Sequence, residues 1–369
     1  MRSRRSIPPA PSFATLHPLA LALAVGWAGA AGAQTLGGNY ALPWLVASPS
    51  AQATGLGGWQ LRLDGRDPAL AAFNPAALNA HTDRVVHVSQ DRLAGQIGQT
   101  ALHASLFAQP LDAHLGLSVR YASFGEFTAR DPFGNEQGTF SGGDFAVGLA
   151  AAKTLGDRLH VGLAAHVLGG ALEQYNQLGA SVSAGVLYTP DSARQTAVGL
   201  QLQHAGVMFD ALSEQRDPLP AELSLGISRR LTYLPVRVGA IYRDIGRWDI
   251  LYDDPARRGR GGFIGEETAE RGAASRFVDN LGRHLGANAE LYLGRRETVQ
   301  LRIGYDHRRQ REAKVAEFRS LGGFSFGAGL NLRRLRIDYG HSVYAIGGGT
   351  HHLGLLVDFA GRGGERAEG

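Results

Sequence analysis

From about Arg84 to Phe359 the chain alternates apolar and polar residues in segment after segment, and fourteen such segments can be counted. Alternation with a period of two gives a strand one apolar face and one polar face. A sheet of this many strands must protect its edges, and closing it into a barrel removes them. The connections alternate short and long along the chain. That is the arrangement of a transmembrane barrel, with tight turns at one end and long loops at the other. The apolar face is therefore predicted to meet lipid and the polar face to line a lumen.

The segments read as strands are 84–90, 99–108, 113–121, 143–154, 158–168, 178–189, 194–204, 221–231, 235–243, 283–293, 298–307, 320–331, 334–341 and 349–359. In one of the clearest, Val299, Leu301, Ile303 and Tyr305 oppose Gln300, Arg302, Gly304 and Asp306. Leu335, Ile337 and Tyr339 oppose Arg336, Asp338 and Gly340 in the same way. Charges at every second position exclude hydrocarbon on both faces. Tight connections are expected at Gln109–Asp112, Leu155–Asp157, Pro190–Ala193, Thr232–Leu234, Gly294–Glu297 and Leu332–Arg333, several with turn chemistry. Long ones are expected at Ala122–Gly142, Gly169–Gln177, Ala205–Pro220, Asp244–Gly282 and Arg308–Arg319. With both termini periplasmic, the tight turns face the periplasm and the long loops face outward. A soluble β-sandwich does not sort its loops by length in this way.

The N-terminus explains how such a chain reaches its membrane. Arg2, Arg4 and Arg5 precede an apolar stretch from Leu16 to Ala31 and an Ala31-Gly32-Ala33 cleavage site, so 1–33 reads as a signal peptide. Outside it no run approaches the roughly 20 apolar residues of a spanning helix, so any span is β. No cysteine occurs, which excludes disulfides, thiolate metal sites and a lipid anchor. The leader holds three of the 37 basic residues, leaving 34 against 33 acidic ones in the mature chain. That near-neutral balance argues against nucleic acid as a partner.

About eight strands is the size that side chains alone fill, so a fourteen-strand lumen needs an occupant. The candidate is 34–83, rich in Gly, Ala and Pro, with a short helical patch near Pro68–Ala77 and the aromatics Trp44, Trp59 and Phe73. The alternative is a disordered periplasmic arm. The organisation expected is thus a signal peptide at 1–33, a plug or periplasmic segment at 34–83, a barrel at 84–359 and a disordered tail at 360–369.

Residues that suggest chemistry do not assemble into it. Asp306 and His307 are adjacent on a strand and point to opposite faces, so they form no acid–base pair together. His351 and His352 diverge likewise and lack the supporting ligands of a metal site. Gly55-Leu56-Gly57-Gly58 and Gly347-Gly348-Gly349 lack the frame and lysine of a phosphate loop. No catalytic residue, metal or cofactor is expected. The stretch Arg247, Trp248, Asp249, Tyr252, Asp253 and Asp254 opens the longest outer loop with aromatics among charges. It reads either as a protein-docking anchor or as part of an interfacial aromatic girdle.

An ordered series of motifs is similar to a known family. It begins with Ala53-Thr54-Gly55-Leu56-Gly57-Gly58 and Phe73-Asn74-Pro75-Ala76, then Tyr121–Gly125, Gly134-Asn135 and Phe140–Gly143. Asp217–Ser228, Arg247–Pro255 and Gly322–Gly327 complete it. Together they resemble the PorV/PorQ family of type IX secretion outer-membrane barrels, PorQ above all, which is related to the FadL-like barrels. The resemblance implies an all-β, closed antiparallel FadL-like barrel of about fourteen strands, with Gly57, Gly58, Asn74 and Pro75 marking an N-terminal plug. It implies a non-enzymatic anchor in outer-membrane lipid, holding a PorZ-like surface protein through its outer loops beside PorU-like and PorV-like components. Residues near Trp44, Gly65-Arg66-Asp67 and the loop Arg257–Arg276 depart from the family pattern. The alternative function is FadL-like transport of hydrophobic small molecules. It requires an apolar pocket, whereas the predicted lumen faces are polar.

Overall fold

The computed structural model describes residues 40–63, 65–93, 97–173, 175–191, 193, 195–210, 217–251, 273–294, 296–312, 321–345 and 348–360. The expected signal peptide and the expected tail beyond Ala360 lie outside the described residues.

All fourteen alternating segments form strands: β1 Val85–Arg92, β2 Gly98–Ala108, β3 Ala113–Arg130, β4 Glu136–Leu155, β5 Leu159–Leu172, β6 Tyr175–Tyr188 and β7 Thr196–Asp210. Then follow β8 Glu222–Arg230, β9 Val236–Tyr242, β10 Leu285–Leu293, β11 Val299–Asp306, β12 Phe324–Leu332, β13 Leu335–Ala345 and β14 Gly348–Asp358. Each strand pairs with its neighbours in sequence, and β1 pairs antiparallel with β14 from Val85↔Asp358 to Arg92↔His351. The sheet is a closed fourteen-stranded antiparallel barrel. Helix α1 is Ala51–Gly55, α2 is Ala273–Arg283 and α3 is His307–Glu312.

The two faces are inverted relative to a water-soluble protein. Leu149 and Leu163 are 67% exposed, whereas Arg302 is 4% and Asp338 0% exposed. Val167, Ile227, Ile303, Phe326 and Leu353 continue the outward apolar band. Such a band is stable only against hydrocarbon, so the barrel is built to span a membrane.

Two of the expected long connections are mostly strand. β3 and β4 pair far past Tyr121, through Phe127↔Phe140 and Ala129↔Gly138, and β5 pairs β6 to Leu172↔Tyr175. Gly169, expected in a long connection, lies beneath the Phe145 ring of the neighbouring strand, and Tyr121 likewise covers Gly143. A cross-strand ring over a strand glycine supplies the packing that glycine lacks. Helices α2 and α3 occupy parts of the two longest connections, where no helix was expected.

The described residues of 40–84 run inside the ring of strands. Their backbone carbonyls accept hydrogen bonds from Ser89 on β1, Arg120 on β3, Gln203 on β7, Ser228 on β8 and Asn288 on β10. Donors drawn from all around the ring place the segment in the lumen. Pro68–Ala72 and Pro75–Ala77 form single 3-10 turns, with the Asp67 and Asn74 side chains accepting from Ala69 N and Ala76 N. Leu61, Leu63, Leu70, Ala76, Ala77 and Leu187 make an apolar cluster within this interior. The segment enters β1 at the tight-turn end, yet Ala41 N donates to Pro218 O in the long β7–β8 connection. The described segment therefore traverses the barrel from one end to the other.

A charge placed on the outward band would be solvated by nothing. Leu353→Arg, in the middle of β14, is expected to destabilise folding into lipid vesicles by about 2–4 kcal/mol, while Leu353→Ile leaves it nearly unchanged. Urea titration of folding reads the difference, and equal stability of the two variants would contradict a lipid-facing band.

Candidate functional site

At the tight-turn half of the lumen, charges from adjacent strands interlock. The register pairs Glu290 on β10 with Arg302 on β11. Arg302 Nε donates to Glu290 Oε1 at 2.7 Å and Nη1 to Asp338 Oδ1 on β13 at 2.7 Å. To reach β13 the guanidinium must cross β12, and it does so at Gly329, where a Cβ would lie 2.8 Å from Nη2. Arg336 Nε donates to Asp338 Oδ2 at 2.6 Å. The N-terminal segment joins this network twice: Arg62 to Glu290 at 3.1 Å and Asp67 to Arg336 at 3.3 Å. Every one of these side chains is at most 7% exposed. Buried charges of this kind fix geometry, and losing one partner strands the other.

Of the predicted plug residues, Gly57 and Gly58 sit toward the long-loop end, and Asn74 and Pro75 toward the tight-turn end. Gly57 and Gly58 have φ of +86° and +95°, which L side chains rarely adopt, and they turn the chain after α1. Gly57 packs on Gly304 and Tyr305 backbone, and Gly58 on the Arg309 guanidinium. Asn74 caps the turn that Pro75 opens, and Nδ2 donates to Leu200 O at 3.4 Å. Gly185 and Gly162 leave the room that the Asn74 side chain and the Pro75–Ala76 backbone fill.

At the long-loop half, Arg243 grips Glu222 with two bonds of 2.9 and 2.8 Å and approaches Asp306 at 3.4 Å. Arg308 pairs with Asp244 at 2.9 Å. Below this cap a cleft separates the upper N-terminal segment from the wall. Leu45, Val46, Pro49 and Phe73 line one side; Ile241 and Arg120 are among those on the other. Its free volume is about 10 Å³, room for roughly one water.

Arg120 is the distinctive residue there. It is 3% exposed, and its guanidinium donates to Leu45 O at 3.1 Å, Ala47 O at 2.9 Å and Gln99 Oε1 at 3.0 Å. It also covers the Trp44 ring at 5.2 Å. No carboxylate is within ion-pair range of it among the described residues, and Asp91 attracts it only from farther away. A buried cation held by neutral groups is poised to take an anion.

Of the predicted docking residues, Tyr252, Asp253 and Asp254 lie outside the described residues. The Arg247 guanidinium covers the Tyr40 ring at 5.3 Å. Trp248 is 47% exposed and stacks on His284 at 5.7 Å and Phe277 at 5.2 Å. Its carbonyl accepts from Asn280 and from His284 Nε2. The Asp249 carboxylate accepts from Leu251 N at 3.2 Å. Arg247 and Trp248 are thus tied to the lumen segment and to α2 and the His284 that follows it rather than gathered as one cluster.

The paired residues weighed for chemistry diverge, His351 and His352 by strand alternation, whereas Asp306 ends β11 and His307 opens α3 rather than continuing the strand as expected. Asp306 faces Arg243 inside, while His307 Nδ1 meets Tyr305 Oη at 2.8 Å. His352 meets Thr54 Oγ1 at 2.9 Å inside the lumen, and His351 meets Tyr339 Oη outside. Sequence reasoning missed Arg120 and the strand-crossing role of Arg302. Both carry a signal, an arginine on the polar face of an alternating segment, but the partner depends on register.

No family model matches the sequence, and no curated protein does. Solved structures do. The Pseudomonas putida toluene transporter TodX superposes with a TM-score of 0.50 at 11% identity, over 84% of this chain and 96% of TodX. A Pseudomonas aeruginosa FadL homologue gives 0.47 at 10% identity, over 85% and 99%. The CymD monoaromatic hydrocarbon channel gives 0.45 at 13%, over 86% and 97%. The TodX likeness is one of fold, and it agrees with the closed fourteen-strand barrel.

Removing the cation at the centre of the lower network leaves two buried carboxylates without it. Arg302→Gln is expected to cost about 3–5 kcal/mol of folding stability, and Gly329→Val to destabilise in the same direction by closing the crossing. Denaturant unfolding in micelles measures both; a wild-type midpoint for Arg302→Gln would refute the network's structural role.

Proposed function

We propose that this chain is a FadL-like outer-membrane channel that admits small hydrophobic molecules bearing an anionic end, gated by its own N-terminal segment. The observation that carries this is Arg120: a buried guanidinium without an ion-pair partner among the described residues, set among Leu45, Val46, Pro49, Phe73 and Ile241. An apolar lining with a few convergent polar groups is the usual character of a small-molecule site. The ligand body would lie against the apolar residues and its carboxylate on Arg120. The outer membrane is the compartment that fits the leader, the lipid-facing band and the loop order.

The gate follows from which bonds a ligand would replace. Arg120 now holds the carbonyls of Leu45 and Ala47. A carboxylate makes a stronger, charge-assisted bond than a carbonyl, so ligand binding competes directly with the contacts that hold Tyr40–Pro49 in place. Farther down, the segment is fastened by two buried ion pairs at Arg62 and Asp67. The upper stretch is accordingly the part that yields first, and passage then requires α1 to shift.

A lock tests this without disturbing native thiols, since the chain has no cysteine. A Cβ on Gly354 would stand 3.3 Å from the Ala51 Cβ, near the spacing of a disulfide. Oxidised Ala51→Cys/Gly354→Cys protein should lose uptake of radiolabelled laurate by whole cells and regain it on reduction. Arg120→Gln should weaken laurate binding about tenfold, the cost of one charge-assisted bond, with the barrel still assembled. Uptake that survives the oxidised lock would overturn the gate.

A second reading is supported by the outer face. Trp248, Phe277 and Val278 are 47%, 54% and 67% exposed beside one another in sequence or stacking, and Phe133 tips the β3–β4 hairpin. Exposed aromatics are what partner surfaces use as anchors. With the PorV/PorQ resemblance, this supports a barrel that also holds a PorZ-like surface protein in a type IX attachment complex. Trp248→Ala is expected to abolish co-purification of that partner from native outer membranes while leaving laurate uptake intact. Retention of the partner would remove this reading.

A further inference from the structure

We propose that the tight-turn mouth of the barrel is a binding site for a small phosphate-bearing anion. A cavity of about 200 Å³ opens there, lined by Arg62, Arg66, Arg296, Arg333, Arg334 and Arg336. The arginines converge from three parts of the fold. Arg62 and Arg66 come from the N-terminal segment, Arg296 from the β10–β11 turn, and the rest from the β12–β13 turn and the start of β13. The two turns are fastened together by Asn331 N donating to Thr298 O at 2.7 Å.

The charge in this cavity is not balanced by the protein. Arg62 and Arg336 are neutralised by Glu290, Asp67 and Asp338. Of the two acids in the lining, Glu297 is engaged by Arg230, and Asp358 lies 3.9 Å from Arg66. Arg296, Arg333 and Arg334 have no ion-pair partner among the described residues. Three unpaired guanidinium groups at one mouth repel one another, and a multivalent oxyanion relieves that repulsion while accepting forked hydrogen bonds from several of them. Gln300 and Asn331 add neutral side-chain amides.

Size and position narrow the ligand. The volume is below the roughly 300 Å³ at which drug-sized sites begin, which suits a phosphate or diphosphate group. Gln300, Arg336 and Asp358 place the cavity within the mouth of the wall rather than on its lipid face. A soluble phosphate compound from the adjoining aqueous space therefore fits better than a phospholipid headgroup, although the shared chemistry is the same. The inference is independent of transport through the cleft, which lies at the other half of the barrel.

The test is calorimetric titration of sodium diphosphate into the full-length protein in phosphatidylcholine nanodiscs. Saturable binding is expected, weakened at least about tenfold in Arg296→Gln/Arg333→Gln/Arg334→Gln, since each substitution removes a charge-assisted hydrogen-bond donor. Arg130→Gln, on the exposed hairpin at the opposite end, should bind as the wild type does. Should the triple variant misassemble, Arg333→Gln alone must still weaken binding. Repeating the titration in nanodiscs containing phosphatidylglycerol separates the sources: unchanged binding supports a soluble ligand, and blocked binding overturns it in favour of a headgroup. Absence of saturable binding, or equal affinity in the triple variant, overturns the site.

Discussion

Satisfying a polar interior without bulk water is the constraint on which this structure rests. The outward side chains take hydrocarbon as their solvent, so every polar group the alternation sends inward must find a partner there. Fourteen strands enclose too much space for the wall to do this alone. The N-terminal segment supplies part of what the wall lacks by presenting backbone carbonyls to Ser89, Arg120, Gln203, Ser228 and Asn288. Its own Arg62 and Asp67 enter the charge network of β10–β13. Barrel and segment are therefore one folding problem.

That dependence is uneven along the barrel axis, and the unevenness is where function enters. In the lower half each formal charge of the network has an opposite charge in contact, and the geometry is over-determined by register and by the crossing at Gly329. In the upper half Arg120 is satisfied only by neutral acceptors. A site that binds must leave some interaction incomplete in its resting state, because a fully satisfied cation gains little from a ligand. The same logic singles out the unpaired arginines at the tight-turn mouth.

The fold was almost wholly legible in the sequence because period-two alternation is a local property. Val299 to Asp306 announces both its strand and its two faces without knowledge of any neighbour. The extension of β5 was not legible, since Gly169 looks like a loop residue until the covering ring of Phe145 is placed by pairing. Helix α3 carries no apolar periodicity, and the spacing of Ala274, Phe277, Val278 and Leu281 that marks α2 is a short signal within a long charged and glycine-rich connection. The N-terminal segment was marked by its aromatics and by Asn74-Pro75. Its path through the lumen, however, is a set of long-range hydrogen bonds that a single sequence does not contain.

The candidate site was less legible for a related reason. Arg120 and Arg302 occupy equivalent positions in the sequence pattern, each an inward arginine flanked by outward apolar or aromatic residues. What separates a structural arginine from a ligand-seeking one is whether register brings a carboxylate alongside. For Arg302 it does, because β10 sets Glu290 opposite and β12 offers a glycine to cross. For Arg120 the opposite residues are Ala101 on β2 and Ala146 on β4, neither of which carries charge. The small wall residues leave the guanidinium free to turn toward the N-terminal segment, and so the chemistry of the cleft is decided by two alanines that no motif would single out.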